Sequence, residues 1–207
     1  MSNSIPQVLA GKFERMKKEV FLLQIHRQIY HQLFHHSQER IDILNRCGHE
    51  VFICLQISFE TEMLMLLSRI TDAPGIKDQQ RLSFQQFHKL IEQSGDHALS
   101  KKLRNSIKKI RKKREELQDH RNKLLAHLDL KTAMEEGPSP DRVTLKKIDE
   151  AIAYLHEYMR TFEQHYQPDT EVIYETSFLV NSAGDALVSI LEKGLRAEEL
   201  IGEDQFV

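Results

Sequence analysis

Residues 103–128 read LRNSIKKIRKKREELQDHRNKLLAHL, a stretch without proline or glycine. Leu103, Ile107, Ile110, Leu117, Leu124 and Leu128 recur in it at steps of three, four and seven, the apolar stripe by which a helix packs against its neighbours. Arg114 and Arg121 fall on the same stripe. A guanidinium stays charged, so an arginine on a core-facing row requires an anion, an acceptor cluster or a wet cleft. Arg121 is therefore worth explaining, together with the residues around it, Asp119-His120-Arg121-Asn122-Lys123-Leu124-Leu125-Ala126-His127.

Composition supports a helical chain throughout. Among 207 residues there are 8 glycines and 5 prolines, charged residues make up 29% and hydrophobic ones 40%, and alternating valine-rich runs are missing, which favours helix over sheet. That length suits one sizeable core and predicts a single domain over 1–207. The N-terminus has no basic, apolar and small-residue leader pattern, and no unbroken run of 18 apolar residues is found, so a cytoplasmic chain without membrane insertion is expected. Cys47 and Cys54 are too few for a disulfide framework or a metal site and read as small core residues.

The net charge of −2 is unevenly placed. Between Lys101 and Lys123 eleven basic residues face three acidic ones, so this segment carries +8 and the rest of the chain −10. A basic stripe of this kind can hold phosphates by neutralisation and counterion release, and Lys108, Lys109, Arg111, Lys112, Lys113 and Arg114 are its candidate RNA-binding residues. The bland reading of the same run is a solvated helix face paired with acids elsewhere.

Outward from this helix the periodicity predicts an antiparallel bundle of about six helices. A long amphipathic helix covers about Val8 to His36. Ser37 caps a second that runs to about Asp72, becomes almost wholly apolar after Val51 and is expected to be central. An exposed loop follows through Lys77-Asp78-Gln79-Gln80, and Ser83 caps a short helix over Phe84 to Gln93. The basic helix begins near His97 and reaches roughly Glu135, about 39 residues or on the order of 58 Å if unbroken. Glu136-Gly137-Pro138-Ser139-Pro140 ends it. A further helix starts at Val143-Thr144 and ends near Pro168. A final one spans about 170–200, with Gly184 and Gly194 as weak points.

Arg121-Asn122 followed by four residues and His127 resembles the signature of the HEPN superfamily. The run Leu66-Leu67-Ser68-Arg69-Ile70-Thr71-Asp72, then Leu82-Ser83-Phe84, and Ala126-His127-Leu128-Asp129 beyond the motif, look like its abortive-infection-associated, AbiU-type branch, over roughly 8–166. The resemblance implies a four-helix core that dimerises so that two motifs face one cleft, and a metal-independent endoribonuclease of the toxin or phage-defence kind. In that carry-over His127 acts as general acid or base, Arg121 stabilises the phosphorane and Asn122 orients one of them. No cofactor or metal is implied. RNA, a second copy of the chain and a cognate antitoxin are the expected partners.

Six residues along an ideal helix give about 9 Å of rise and 240° of rotation, so Arg121 and His127 need a bend or a second subunit to meet. His120 and Lys123 align more nearly with His127 and are accessory candidates. So are Arg69 and Asp72, which most simply form a local i, i+3 ion pair or border the cleft in the resembling family. Tyr154, Tyr158 and Tyr166 read as packing residues. His31 and His35 have zinc-compatible spacing without convergent carboxylates or thiols, and a solvated face with His26 and His36 is the simpler reading. The rivals to catalysis are a non-catalytic RNA-binding or protein-interaction bundle, and a scaffold in which Arg121 anchors Asp42, Glu60 or Glu62.

Overall fold

A computed structural model of the chain describes residues 4–75, 81–120, 144–169, 174 and 183–204. Six helices form among them: α1 (Gln7–Phe34), α2 (Gln38–Thr71), α3 (Phe84–Gln93), α4 (His97–His120), α5 (Leu145–Tyr166) and α6 (Ala183–Asp204), with no strand among the described residues. The all-helical bundle expected from the periodicity is what forms. The expected continuation of the basic helix to Glu135, the linker at 136–140, the Lys77-Gln80 loop and most of the 170–182 stretch lie outside the described residues.

The helix starts follow from short-range chemistry. Ser37 Oγ accepts from Arg40 N at 3.4 Å and Ser83 Oγ from Gln86 N at 3.2 Å, and Thr144 caps α5 in the same way, each satisfying a donor that a helix terminus leaves orphaned. At the end of α3, Gly95 takes φ +82°, the left-handed conformation that closes a helix and turns the chain. Asp96 then caps α4, accepting from Leu99 N at 2.9 Å.

The residues divide into two compact units, Met1–Leu23 with Met63–Tyr174, and Gln24–Glu62 with Glu175–Val207. In the first, α4 packs against α3 and α5. Its partners along α5 fall in reverse order: Asp96 lies 2.9 Å from His165, Ser106 3.0 Å from Glu157 and Lys113 2.7 Å from Glu150, so the two helices run antiparallel. The core centres on Phe162, fully buried, with ring centroids of Phe13 at 4.3 Å, Phe87 at 5.1 Å and Tyr166 at 5.3 Å. Tilted and edge-on aromatic pairs at these separations add to the stabilisation from burial. Phe84 meets Tyr158 edge-on at 5.2 Å beside them. The α2 contribution is Met63, Leu66, Leu67 and Ile70, all buried.

In the second unit, Leu33, Leu44 and Val188 form a small core, with Ile29, Phe52, Phe59 and Leu191 against it. Arg40 joins the Gln32 carbonyl at 2.6 Å to Asp185 at 2.5 Å. Gly184, expected as a weak point within a helix, is instead a point of close approach. Its N–H donates to Gln32 Oε1 at 3.0 Å, and a Cβ there would meet Gln32 Cβ at 2.6 Å.

Two expectations are corrected here. Cys47 and Cys54 are exposed; their setting is apolar in sequence, but among the described residues that side is not buried. The stretch after Val51 is not central, since Val51 is 62% exposed and Ile57 57%, with Ile53 and Leu55 also exposed. Apolar sequence states what a helix can bury; along α2, Leu44, Met63, Leu66, Leu67 and Ile70 are buried, Phe52 and Phe59 partly so, and Val51, Ile53, Leu55 and Ile57 are not. By length and composition α2 is also long and apolar enough to cross a membrane, because an average over eighteen residues tolerates interspersed polar side chains that an unbroken run does not.

Phe162→Ala should lower the unfolding free energy by about 3–5 kcal/mol, the range for emptying a buried aromatic site, read from urea titrations at constant m; a loss under 1 kcal/mol would show that the ring cluster does not organise the first unit. His88 supplies a second prediction. Burial pulls its imidazole below the ordinary 6.5, Glu92 opposes this, and Arg111 and Arg104 reinforce it. The unfolded chain therefore takes up the proton first, so His88 contributes stability present above pH 6.5 and lost as pH falls towards its depressed folded value. Melting temperature should fall more steeply between pH 7 and 5 in the wild-type chain than in His88→Gln; parallel curves would contradict this.

Candidate functional site

The core fixes how α4 presents its charges. Leu99, Leu103, Ile107, Ile110 and Leu117 are all buried, which sets one side of the helix inward. At 100° per residue, Lys101, Arg104, Lys108, Arg111 and Lys112 then fall on the opposite side, and all five are exposed. Lys109 and Lys113 occupy the flank towards α5, and Arg114 lies on the other flank.

The six residues assigned to RNA binding by sequence thus divide. Lys108, Arg111 and Lys112 stand in the exposed row. Lys109 donates to Glu157 at 2.8 Å and lies 5.2 Å from the centroid of the Tyr154 ring. Lys113 is buried between Glu116 at 2.6 Å and Glu150 at 2.7 Å. Burial alone lowers its ammonium pKa, but the two carboxylates outweigh that and hold it above the ordinary 10.5. Arg114 Nε, buried and without a hydrogen bond, lies 3.5 Å from Asp72. Lys101 and Arg104, which the sequence reading left among the general basic run, belong to the exposed face.

Arg69 and Asp72 do not pair with each other as their spacing suggested. Arg69 reaches Glu19 at 2.5 Å, and Asp72 takes Arg81 at 3.0 Å and Arg114 at 3.5 Å. The reason is positional: Asp72 lies one residue past the end of α2, outside the i, i+3 geometry that a continuing helix would give. Arg15, 2.7 Å from Glu19, completes the group. Arg15, Glu19, Arg69, Asp72 and Arg81 line a cavity of about 370 Å³, floored on its apolar side by Ile70 and Leu82. Sequence reasoning missed Arg15, Glu19 and Arg81: Arg15 and Glu19 sit four residues apart on α1, a spacing common on any solvated helix face, and nothing local ties them to Arg81, Arg69 or Asp72.

His120 ends α4. Arg121, Asn122, Lys123 and His127 lie outside the described residues, directly after it in the chain. Among the described residues no group of three or more His, Cys, Asp or Glu side chains is placed to hold a metal ion. His31 and His35 contact each other edge-on, with ring centroids 5.8 Å apart. Tyr158 and Tyr166 are buried in the aromatic core.

Neither a curated protein nor a solved structure matches the chain. A family does: the HEPN family described as AbiU2 matches residues 7–182, a span that takes in α1 to α5, the exposed basic row and the whole Arg121-Asn122-x4-His127 string. With most of its length covered by that match, the chain belongs to the AbiU2 family of HEPN proteins.

Proposed function

We propose that the chain is a HEPN-type endoribonuclease that cuts RNA without a metal and acts in abortive infection, as a homodimer in the cytoplasm under the control of a cognate antitoxin. The observation that carries this reading is the AbiU2 match over a segment containing Arg121, Asn122 and His127. The exposed cations of α4 support it, since they stand on the helix whose chain continues straight into Arg121. Lys101, Arg104, Lys108, Arg111 and Lys112 offer a polyanion a row of contacts on the helix that precedes the motif in the chain.

Chemically, cleavage at a 2′-hydroxyl requires a proton acceptor, a proton donor for the leaving 5′-oxygen and a cation at the phosphorane. A histidine titrates near neutrality and serves the proton steps; His127 takes that role. Arg121 stabilises the developing negative charge, and Asn122 orients it or the histidine. Lys123 adds positive charge near His127, and His120 is a further accessory candidate. Two copies paired about a two-fold axis bring each Arg121 towards the other copy's His127, which relieves the 240° separation within one straight helix. The second reading, a non-catalytic RNA-binding or protein-interaction bundle, draws support from the exposed apolar side chains Val51, Ile53 and Ile57.

Cleavage of a mixed RNA pool should survive EDTA and leave 2′,3′-cyclic phosphate ends. His127→Ala should abolish single-turnover cleavage, and Arg121→Ala should slow it by about a hundredfold or more, both with unchanged melting curves. Cleavage that persists in His127→Ala, or that needs added divalent metal, would overturn the mechanism. RNA affinity should fall by about a hundredfold between 50 and 200 mM salt if some five phosphates are neutralised by the α4 row. A flat salt profile in filter binding would transfer weight to the protein-interaction reading.

A further inference from the structure

The cavity between α1, the end of α2 and the entry to α3 has an arrangement of charge that the proposed catalysis leaves unused. Its carboxylates lie deep and its guanidiniums lie outward. The side chains of Glu19 and Asp72 are 15% and 14% exposed, whereas those of Arg15, Arg69 and Arg81 are 65%, 58% and 61% exposed. Each carboxylate takes two arginines, Glu19 holding Arg15 and Arg69, Asp72 holding Arg81 and Arg114. Among the described residues, four arginines therefore contact two carboxylates.

Such an excess is unnecessary for structure. One arginine per carboxylate would neutralise the two acids, and exposed ion pairs contribute little stability. The geometry does something else: a guanidinium carries five N–H donors in a planar fork, and the floor carboxylates each engage one edge of the rim arginines and hold the forks in place. The remaining donors of Arg15, Arg69 and Arg81 are left at the mouth. Three fixed forks over a cavity of about 370 Å³ match a tetrahedral dianion or a phosphodiester, which accept two parallel N–H bonds from a single fork.

We propose that this cavity is a phosphate-binding subsite, with Arg15, Arg69 and Arg81 as its ligands and Glu19 and Asp72 as positioning residues. The position of Arg114, bound to the same Asp72 and seven residues before Arg121 on the basic segment, places the subsite on the element that leads into the motif. Resting on the endoribonuclease reading, the inference makes the ligand a backbone phosphate of the RNA strand away from the scissile bond. Inorganic phosphate presents the same chemistry, and the experiment separates the two sources.

The full chain is titrated with a fluorescent 12-nucleotide 2′-O-methyl RNA, which binds but offers no 2′-hydroxyl for cleavage, and is melted separately with and without inorganic phosphate. Arg69→Gln/Arg81→Gln is compared with each single variant and with Arg196→Gln, a surface arginine paired to Glu192 within α6. In the double variant the dissociation constant for RNA should rise about tenfold or more, and the slope of log affinity against log salt should shrink by about 1.4, the loss of two phosphate contacts on a single strand. Arg196→Gln should bind as the wild type does. Loss of the phosphate-induced melting shift with RNA binding unaltered assigns the subsite to the free ion. RNA affinity within twofold of wild type together with an unaltered phosphate shift, or no phosphate shift at all, overturns the proposal. Unaltered binding in a chain that cuts RNA removes the subsite and leaves the nuclease reading standing, whereas weakened binding in a chain that cuts nothing does the reverse.

Discussion

The buried ring of Phe162 is the contact on which the first unit depends. It gathers Phe13 from α1 and Phe87 from α3 around α5 at 4.3 and 5.1 Å, three helices that are remote from one another in sequence. α4 is then laid against α3 and α5. Close packing leaves little rotational freedom to a helix seated between two others, so the inward row of Leu99, Leu103, Ile107 and Ile110 also decides where every lysine and arginine of that helix points. Electrostatics on this surface is a consequence of packing.

This ordering separates cations that are available from cations that are engaged. Lys109, Lys113 and Arg114, on the flanks, meet Glu157, Glu150 and Asp72, while Lys101, Arg104, Lys108, Arg111 and Lys112 face outward. The exposed flank pair Lys109–Glu157 gains little from Coulomb attraction in high dielectric. The effect of the flank pairs is to remove charge from the pool that a polyanion can use, and to direct the positive potential to one side of α4.

Local rules reached most of the helices because their causes are local. The steps of three and four in Phe84, Phe87 and Ile91, or in Ile148, Ile152, Leu155, Met159 and Phe162, are set by helical geometry, and Ser37 and Ser83 cap from one residue away. Other features depend on what a side chain meets across space. Cys47 and Val51 lie in apolar sequence, yet both are exposed among the described residues. Arg69 and Asp72 have the spacing of a pair and bind other partners, Glu19 and Arg81. Lys113 looked like any member of a charge run, and only the register of α4 on α5 shows that it is buried. The Arg121-Asn122-x4-His127 string was legible as a resemblance, because a short contiguous motif is the kind of feature a sequence displays directly, and the AbiU2 match covers it. The arginine cavity had no such signature.

The pairing of α1 with α5 also has a consequence for synthesis. Lys17 and Glu163, 3.0 Å apart, are separated by 146 residues of chain, and Phe13 waits for Phe162 over the same interval. At about 5–20 residues per second, the apolar face of α1 leaves the ribosome roughly 7–30 s before its partner helix exists. During that interval Leu9, Phe13, Met16 and Val20 form an uncovered hydrophobic strip on a nascent polypeptide. The first unit is therefore a fold completed late, closed by its last helix, with that strip exposed while translation runs on.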